Sequence, residues 1–149
     1  MTLKHTLQSA LTTAMKAQDR DSKRTLRLVL SVIKLVEVDE GVEVDDSRIL
    51  SILQKELKTR EDIIIEAKTV DRNDLIKQAE KEMEILSKFL PRQMSPKELE
   101  ELTYDVIEEV GAKNLKDMGN VMKNLMPKLK GRASGQDASR IVRNVLQND

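Results

Sequence analysis

The 149-residue chain has no cysteine and no tryptophan, a single histidine (His5) and only two aromatic residues, Phe89 and Tyr104. Without cysteine there can be no disulfide framework, thiolate nucleophile, iron–sulfur ligation or Cys-based zinc site. One histidine leaves no His–His pair for a metal, and His5 alone would have to serve any Ser-His-Asp arrangement. So few aromatic rings exclude the successive platforms on which single-stranded bases stack. No apolar run approaches the roughly 18 residues of a membrane span. Excess charge is missing too: 26 Lys and Arg balance 26 Asp and Glu, a total that by itself argues against a polyanionic partner.

What is present is a strong helical period in a chain that is 39% hydrophobic and 35% charged, the composition of one soluble domain or two small ones. Leu3, Leu7, Ala10, Leu11 and Ala14 predict a first helix near 3–18, capped by Thr2. The acid-poor opening stretch lacks the arginines of an organelle presequence, Arg20 being the first, so it reads as an ordinary helix and the expected compartment is the cytoplasm. Asp19 to Asp21 supply N-caps for a second helix with Leu26, Val29, Leu30, Ile33 and Val36.

Residues 35–46 admit two readings. Val36, Val38, Val42 and Val44 alternate with acids around Glu40-Gly41, as in a hairpin. A lone two-stranded hairpin is marginal in water, which favours a helix end and an acidic loop. From Asp46 or Ser47 a long third helix carries Ile49, Ile52, Leu53, Leu57, Ile63, Ile64 and Ala67; Asp71 and Asn73 offer caps for a fourth with Leu75, Ala79, Met83, Leu86, Phe89 and Leu90. Two long helices joined by a short polar turn predict an antiparallel hairpin.

The sharpest boundary is Pro91 to Glu98. Ser95, Pro96 and Glu98 occupy N-cap, N1 and N3 of a capping box, and Gly111 fits the C′ position of the helix that follows. Two further short helices are predicted, near 115–126 and after Ser134 and Asp137, with Pro127 and Gly131 bounding a basic segment between them. The expected fold is all-α: an N-terminal helical domain (1–94) with the long hairpin, then a C-terminal three-helix module (95–149).

No active site stands out. Glu61-Asp62 and Glu108-Glu109 sit on predicted helix surfaces, where solvation accounts for them. The glycines of Gly131-Arg132-Ala133-Ser134-Gly135 lack the Lys-Ser/Thr of a phosphate loop, and Asp45-Asp46 lack the spacing of a calcium loop. The chain therefore implies no metal, cofactor or catalytic residue. Charge is more informative once read in blocks. Residues 1–34 hold seven basic against two acidic side chains, and 35–46 hold six acids with no base. Residues 113–148 hold eight basic against two acidic ones, and the preceding helix is acidic. A basic cluster around Pro127-Lys128-Leu129-Lys130-Gly131-Arg132 fits a phosphate-binding surface; pairing with the acidic helix beside it explains the same charges. Met118, Met122 and Met126, four apart, fit core or interface packing. Gly119, placed mid-helix at a cost of about 1 kcal/mol relative to Ala, implies either close helix packing or backbone approach to a phosphate.

Several motifs carry a resemblance: Arg72-Asn73-Asp74-Leu75, Phe89-Leu90-Pro91-Arg92-Gln93-Met94-Ser95, Asp117-Met118-Gly119, Val121-Met122 and Pro127-Lys128-Leu129-Lys130-Gly131-Arg132-Ala133. With them the chain resembles the free-standing YqeY proteins, whose C-terminal half is similar to the tail domain of GatB, the tRNA-binding subunit of the glutamyl/aspartyl-tRNA amidotransferase. Phe89, Asn120 and Ser134 stand where Tyr, Lys and Asp are common in that family. The resemblance implies an all-α protein whose C-terminal module engages tRNA or another structured RNA, in trans with an amidotransferase or an aminoacyl-tRNA synthetase. A carbon–nitrogen ligase activity with glutamine as amido donor is not expected of this chain alone, because the kinase-like domain, the zinc cysteines and the amidase nucleophile are missing. Lys123, Lys128, Lys130, Arg132, Arg140 and Arg143 are the expected phosphate contacts, with Gly119 and Gly131 allowing close backbone approach. The alternative, suggested by the Ile63-Ile64-Ile65 run, is a helical adaptor for another protein, since three consecutive isoleucines on a helix cannot all face one core.

Overall fold

The computed structural model describes residues 2–147 and contains only helices and connecting turns over that span. They form two compact units, Met1–Pro91 and Arg92–Asp149. Residues 92–94, placed by sequence with the first part, belong with the second, because Met94 packs against its core and donates its N–H to the Arg132 carbonyl at 2.7 Å.

In the first unit α1 (Leu3–Lys16) starts where Thr2 Oγ1 accepts the His5 N–H. His5 is an exposed first-turn residue. α1 is tied into the unit by Leu7, which is fully buried. α2 (Arg20–Glu40) is capped by Asp19, which takes the Ser22 N–H and hydroxyl. The helix runs through Val36 and Val38 to Glu40, so the hairpin reading fails and the helix-plus-loop reading stands. Gly41 ends the helix with φ +69°, a left-handed conformation that costs a glycine nothing. The loop is then pinned back by Glu37, whose Oε2 accepts the Val44 N–H at 3.1 Å while Lys4 bonds both of its oxygens. α3 (Asp46–Thr69), capped by Asp45, and α4 (Asn73–Ser87) make the predicted hairpin. Its turn differs from expectation. Neither Asp71 nor Asn73 caps α4; the N-cap is Arg72, whose side chain makes no capping bond. Asp71 is used to reverse the chain, at φ +54°, a conformation that Asp tolerates better than most residues. Leu7, Leu26, Val29, Ile33, Ile49, Leu53 and Leu86 are the inner core, each worth about 1.5–3 kcal/mol when fully buried.

The second unit is three helices around Leu99, Val106, Val121, Leu125, Leu129, Ala138, Val142 and Leu146. α5 (Pro96–Val110) begins with Ser95 Oγ accepting the Glu98 N–H and ends at Gly111. A single 3₁₀ turn, Leu115–Asp117, leads into α6 (Met118–Leu129), and α7 (Gly135–Gln147) closes the unit. Two expectations are corrected here. Pro127 does not bound a segment but lies inside α6. The apolar series Val121, Leu125, Leu129 stays buried straight through it, so packing outweighs the hydrogen bond that a proline cannot give the Lys123 carbonyl. Gly119 is not mid-helix but in the exposed first turn of α6, and a Cβ there would meet nothing within 4 Å. Close helix packing is therefore not its role.

Candidate nucleic-acid interface

The second unit holds all the residues predicted to meet phosphate, and the loop between α6 and α7 is its centre. Lys130 and Gly131 are both left-handed, φ +50° and +76°, a pair that needs glycine at one position and strains lysine at the other. That reversal brings two signature motifs together. Gln93 Nε2 donates to the Gly131 carbonyl at 2.9 Å, and Arg132 Nε donates to the Arg92 carbonyl at 2.9 Å. Arg132 Nη2 also reaches Glu98 Oε2 at 3.0 Å, and Arg92 bonds the same carboxylate from its other side. Half of the predicted capping box is therefore present. Ser95 caps α5, while the Glu98 carboxylate is drawn away to two guanidinium groups.

The six cations divide into two sets. Lys128 pairs with Glu109 on α5 at 2.9 Å, Arg132 with Glu98, and Arg140 with Asp137 one turn earlier at 3.3 Å. For these three the pairing expected of a solvated surface is realised. Lys123, Lys130 and Arg143 are exposed and form no ion pair among the described residues. On α6, Gly119, Lys123 and Met126 follow 3–4 spacing along one exposed flank, apart from the flank that carries Lys128 to α5, and Lys130 is the exposed C-cap of the same helix. On α7, Arg140 and Arg143 lie on the exposed face opposite Ala138, Val142 and Leu146. Met118 and Met122 pack on the core, as expected, whereas Met126 is 48% exposed.

Two positions in this region escape sequence reasoning. Asp117 Oδ2 accepts the backbone N–H groups of Lys113 at 2.8 Å and Asn114 at 3.4 Å, while Asn114 Oδ1 accepts the Lys116 N–H. Those N–H groups hold the Asp117 carboxyl below the usual carboxylate range, so the acid of the Asp-Met-Gly motif is a loop clasp. Gly135 opens α7 against Met126, whose Cε would lie 2.9 Å from an added Cβ. Sequence showed that glycine only as part of a failed phosphate-loop match. Ser134 caps α7 as predicted, accepting the Asp137 N–H at 3.1 Å.

Among the described residues no group of three acidic or histidine side chains is placed to hold a metal ion, and no helix is long and apolar enough to cross a membrane. Comparison with known proteins adds kinship. The family model of the Yqey-like protein matches residues 4–146. The protein named Altered inheritance of mitochondria protein 41, mitochondrial, of Pyrenophora tritici-repentis is 25% identical over 130 residues, covering 85% of this chain and 71% of that protein. An uncharacterised protein of Schizosaccharomyces pombe is 28% identical over 93 residues, 62% of this chain and 76% of its own. The Lachancea thermotolerans protein that shares the first relative's name is 35% identical over 85 residues, 56% of this chain but only 46% of its own length. A match that runs from α1 to α7 takes in both units, and the chain belongs to the YqeY-like family.

Proposed function

We propose that the chain is a cytoplasmic accessory protein that binds tRNA, or another structured RNA, through its C-terminal unit, acting in trans with an amidotransferase or an aminoacyl-tRNA synthetase. It reads shape and phosphates, because it lacks the rings for base stacking. The observation that carries this reading is the set of exposed cations, Lys123, Lys130 and Arg143, that have no carboxylate partner among the described residues, on the unit whose motifs resemble the amidotransferase tail. Gly119, with open space over its backbone, supports close approach of a phosphate to the start of α6. Lys128, Arg132 and Arg140 contribute less, since each would have to leave a carboxylate. Two of the relatives bear "mitochondrial" in their names, and imaging the tagged full-length protein decides between that compartment and the cytoplasm.

The test is affinity for unfractionated tRNA as a function of salt, for the full chain and for K123A/K130A/R143A. Loss of up to three phosphate contacts flattens the log–log slope by about 2–3 units; an unchanged slope and affinity removes these residues from the interface. The adaptor reading rests on Ile63 and Ile65, 39% and 62% exposed. It gains if the wild type binds no tRNA at low salt and an Ile65→Asp variant loses a protein partner that the wild type keeps.

A further inference from the structure

The first unit carries a basic surface of its own. Arg20, Lys23, Arg24 and Arg27, at positions i, i+3, i+4 and i+7 of α2, line an open groove of about 380 Å³. Lys34 continues the row two turns further, roughly 20 Å from Arg20 at 1.5 Å per residue. From residue 22 to residue 36 there is no acidic side chain. The two acids that precede this stretch are already committed. Asp19 caps the helix through Ser22. Asp21 is shared by Lys81 at 2.7 Å and Arg24 at 3.1 Å and is bonded by Gln78. Arg20, Lys23, Arg27 and Lys34 therefore have no ion-pair partner among the described residues, whereas half of the predicted C-terminal set does.

We propose that this outer face of α2 is a second phosphate-binding surface, with Arg20, Lys23 and Arg27 holding the sugar–phosphate backbone of a structured RNA and Lys34 extending the track. The proposal rests on the reading that the chain binds RNA, but on none of the C-terminal residues. Charge complementarity selects the occupant: a row of cations along a rigid helix matches a line of phosphates. The guanidinium groups also supply flat faces on which an unpaired base can lie, in a protein almost without aromatic rings. An anionic membrane is the poorer partner. An interfacial helix buries its apolar side in lipid, but the apolar side of α2 (Leu26, Val29, Ile33) is already packed in the core of its own unit. The large apolar side chains left exposed on α2 are Leu28 and Leu35 on one flank and Val38 among the acids of its last turn, 46%, 61% and 70% exposed.

The experiment compares the full-length wild type, R20A/K23A/R27A and K123A/K130A/R143A for binding to unfractionated tRNA across a salt series. Parallel arms use phosphatidylserine–phosphatidylcholine vesicles and sedimentation of the protein alone. The expected result is a tRNA slope flattened by about 2 units or more in the α2 variant, an unchanged melting temperature, and recovery in R20K/R27K, which keeps the charge. If the α2 variant loses slope while the C-terminal variant does not, this surface stands and the C-terminal assignment falls. The proposal is overturned by a wild-type slope in the α2 variant or by a wild type that binds no tRNA at low salt. It is equally overturned if the α2 residues are needed for vesicle binding or self-association but not for tRNA binding.

Discussion

The two units use their arginines in opposite ways. In the first, Arg60 is sunk between α3 and α4 with its side chain 5% exposed, bonded to Glu56 at 2.6 Å and to Glu82 at 3.3 Å, while Arg20, Lys23, Arg27 and Lys34 of α2 have no ion-pair partner among the described residues. In the second, Arg132 sits near the surface, 35% exposed, and the acidic helix α5 neutralises the basic residues closest to it. A count of basic residues ranks residues 113–148 first, yet the less compensated field lies on α2. Positive charge acts on a ligand only where no carboxylate has claimed it.

The largest test of this contrast is stability. Arg60→Ala leaves Glu56 and Glu82 largely buried without their cation, and should cost about 3 kcal/mol in urea denaturation. Arg132→Ala removes a half-exposed pair and a bond to the Arg92 carbonyl, and should cost about 1 kcal/mol. Equal losses would erase the distinction between the two arginines.

Acid should separate the units next. Four carboxyls of the first unit are held below their usual range: Asp74, brought down to about 2 by the two-pronged bond from Arg72; Asp21, by Lys81 and Gln78; Asp19, by Ser22; and Glu37, by Lys4 and the Val44 N–H. In the second unit only Asp117 is so placed among the described residues. A carboxyl with a depressed native pKa contributes stability that is complete above its unfolded value, near 4, and is lost as pH falls through the native one. The first unit should therefore lose more stability between pH 5 and pH 2. Denaturant titrations at several pH values, followed through backbone NMR signals of each unit, would show it; parallel losses would contradict it.

The smallest effect expected is at Gly119. Alanine there meets open space and should stabilise the second unit by at most about 1 kcal/mol. If a phosphate approaches this backbone, the same variant binds tRNA more weakly despite being more stable. Gains in both quantities would remove Gly119 from the interface.

The helices were legible because their apolar residues recur at helical spacing and their caps are Thr2, Asp19, Ser95 and Ser134, side chains that satisfy a helix start locally. What misled was chemistry settled by residues distant in sequence. The end of α6 depends on what packs over Leu129, not on Pro127. The turn before α4 depends on a residue taking φ > 0, so Asp71 became the reversal and not the cap. At the candidate interface, sequence located the basic residues but not their partners. Glu98 and Glu109 lie 34 and 19 positions from the side chains they bind, and no local pattern announces such a pairing. The basic run on α2 was visible as composition, but which of its cations stay uncompensated became apparent only with Asp19 bound to Ser22 and Asp21 shared by Lys81, Gln78 and Arg24.

The fastening of residues 92–94 to 131–132 also bears on where the chain can be cut. A fragment started at Ser95, the natural choice from the capping motif, would lose the Arg92 carbonyl, the Gln93 amide and the Met94 N–H together, and with them the Arg92 hold on Glu98. Arg132 would keep Glu98, which lies within the fragment, but the reversal between α6 and α7 would lose three hydrogen bonds to the segment before α5. Such a fragment would hold the left-handed Lys130-Gly131 turn more loosely than the intact chain does, with one cation fewer beside Glu98.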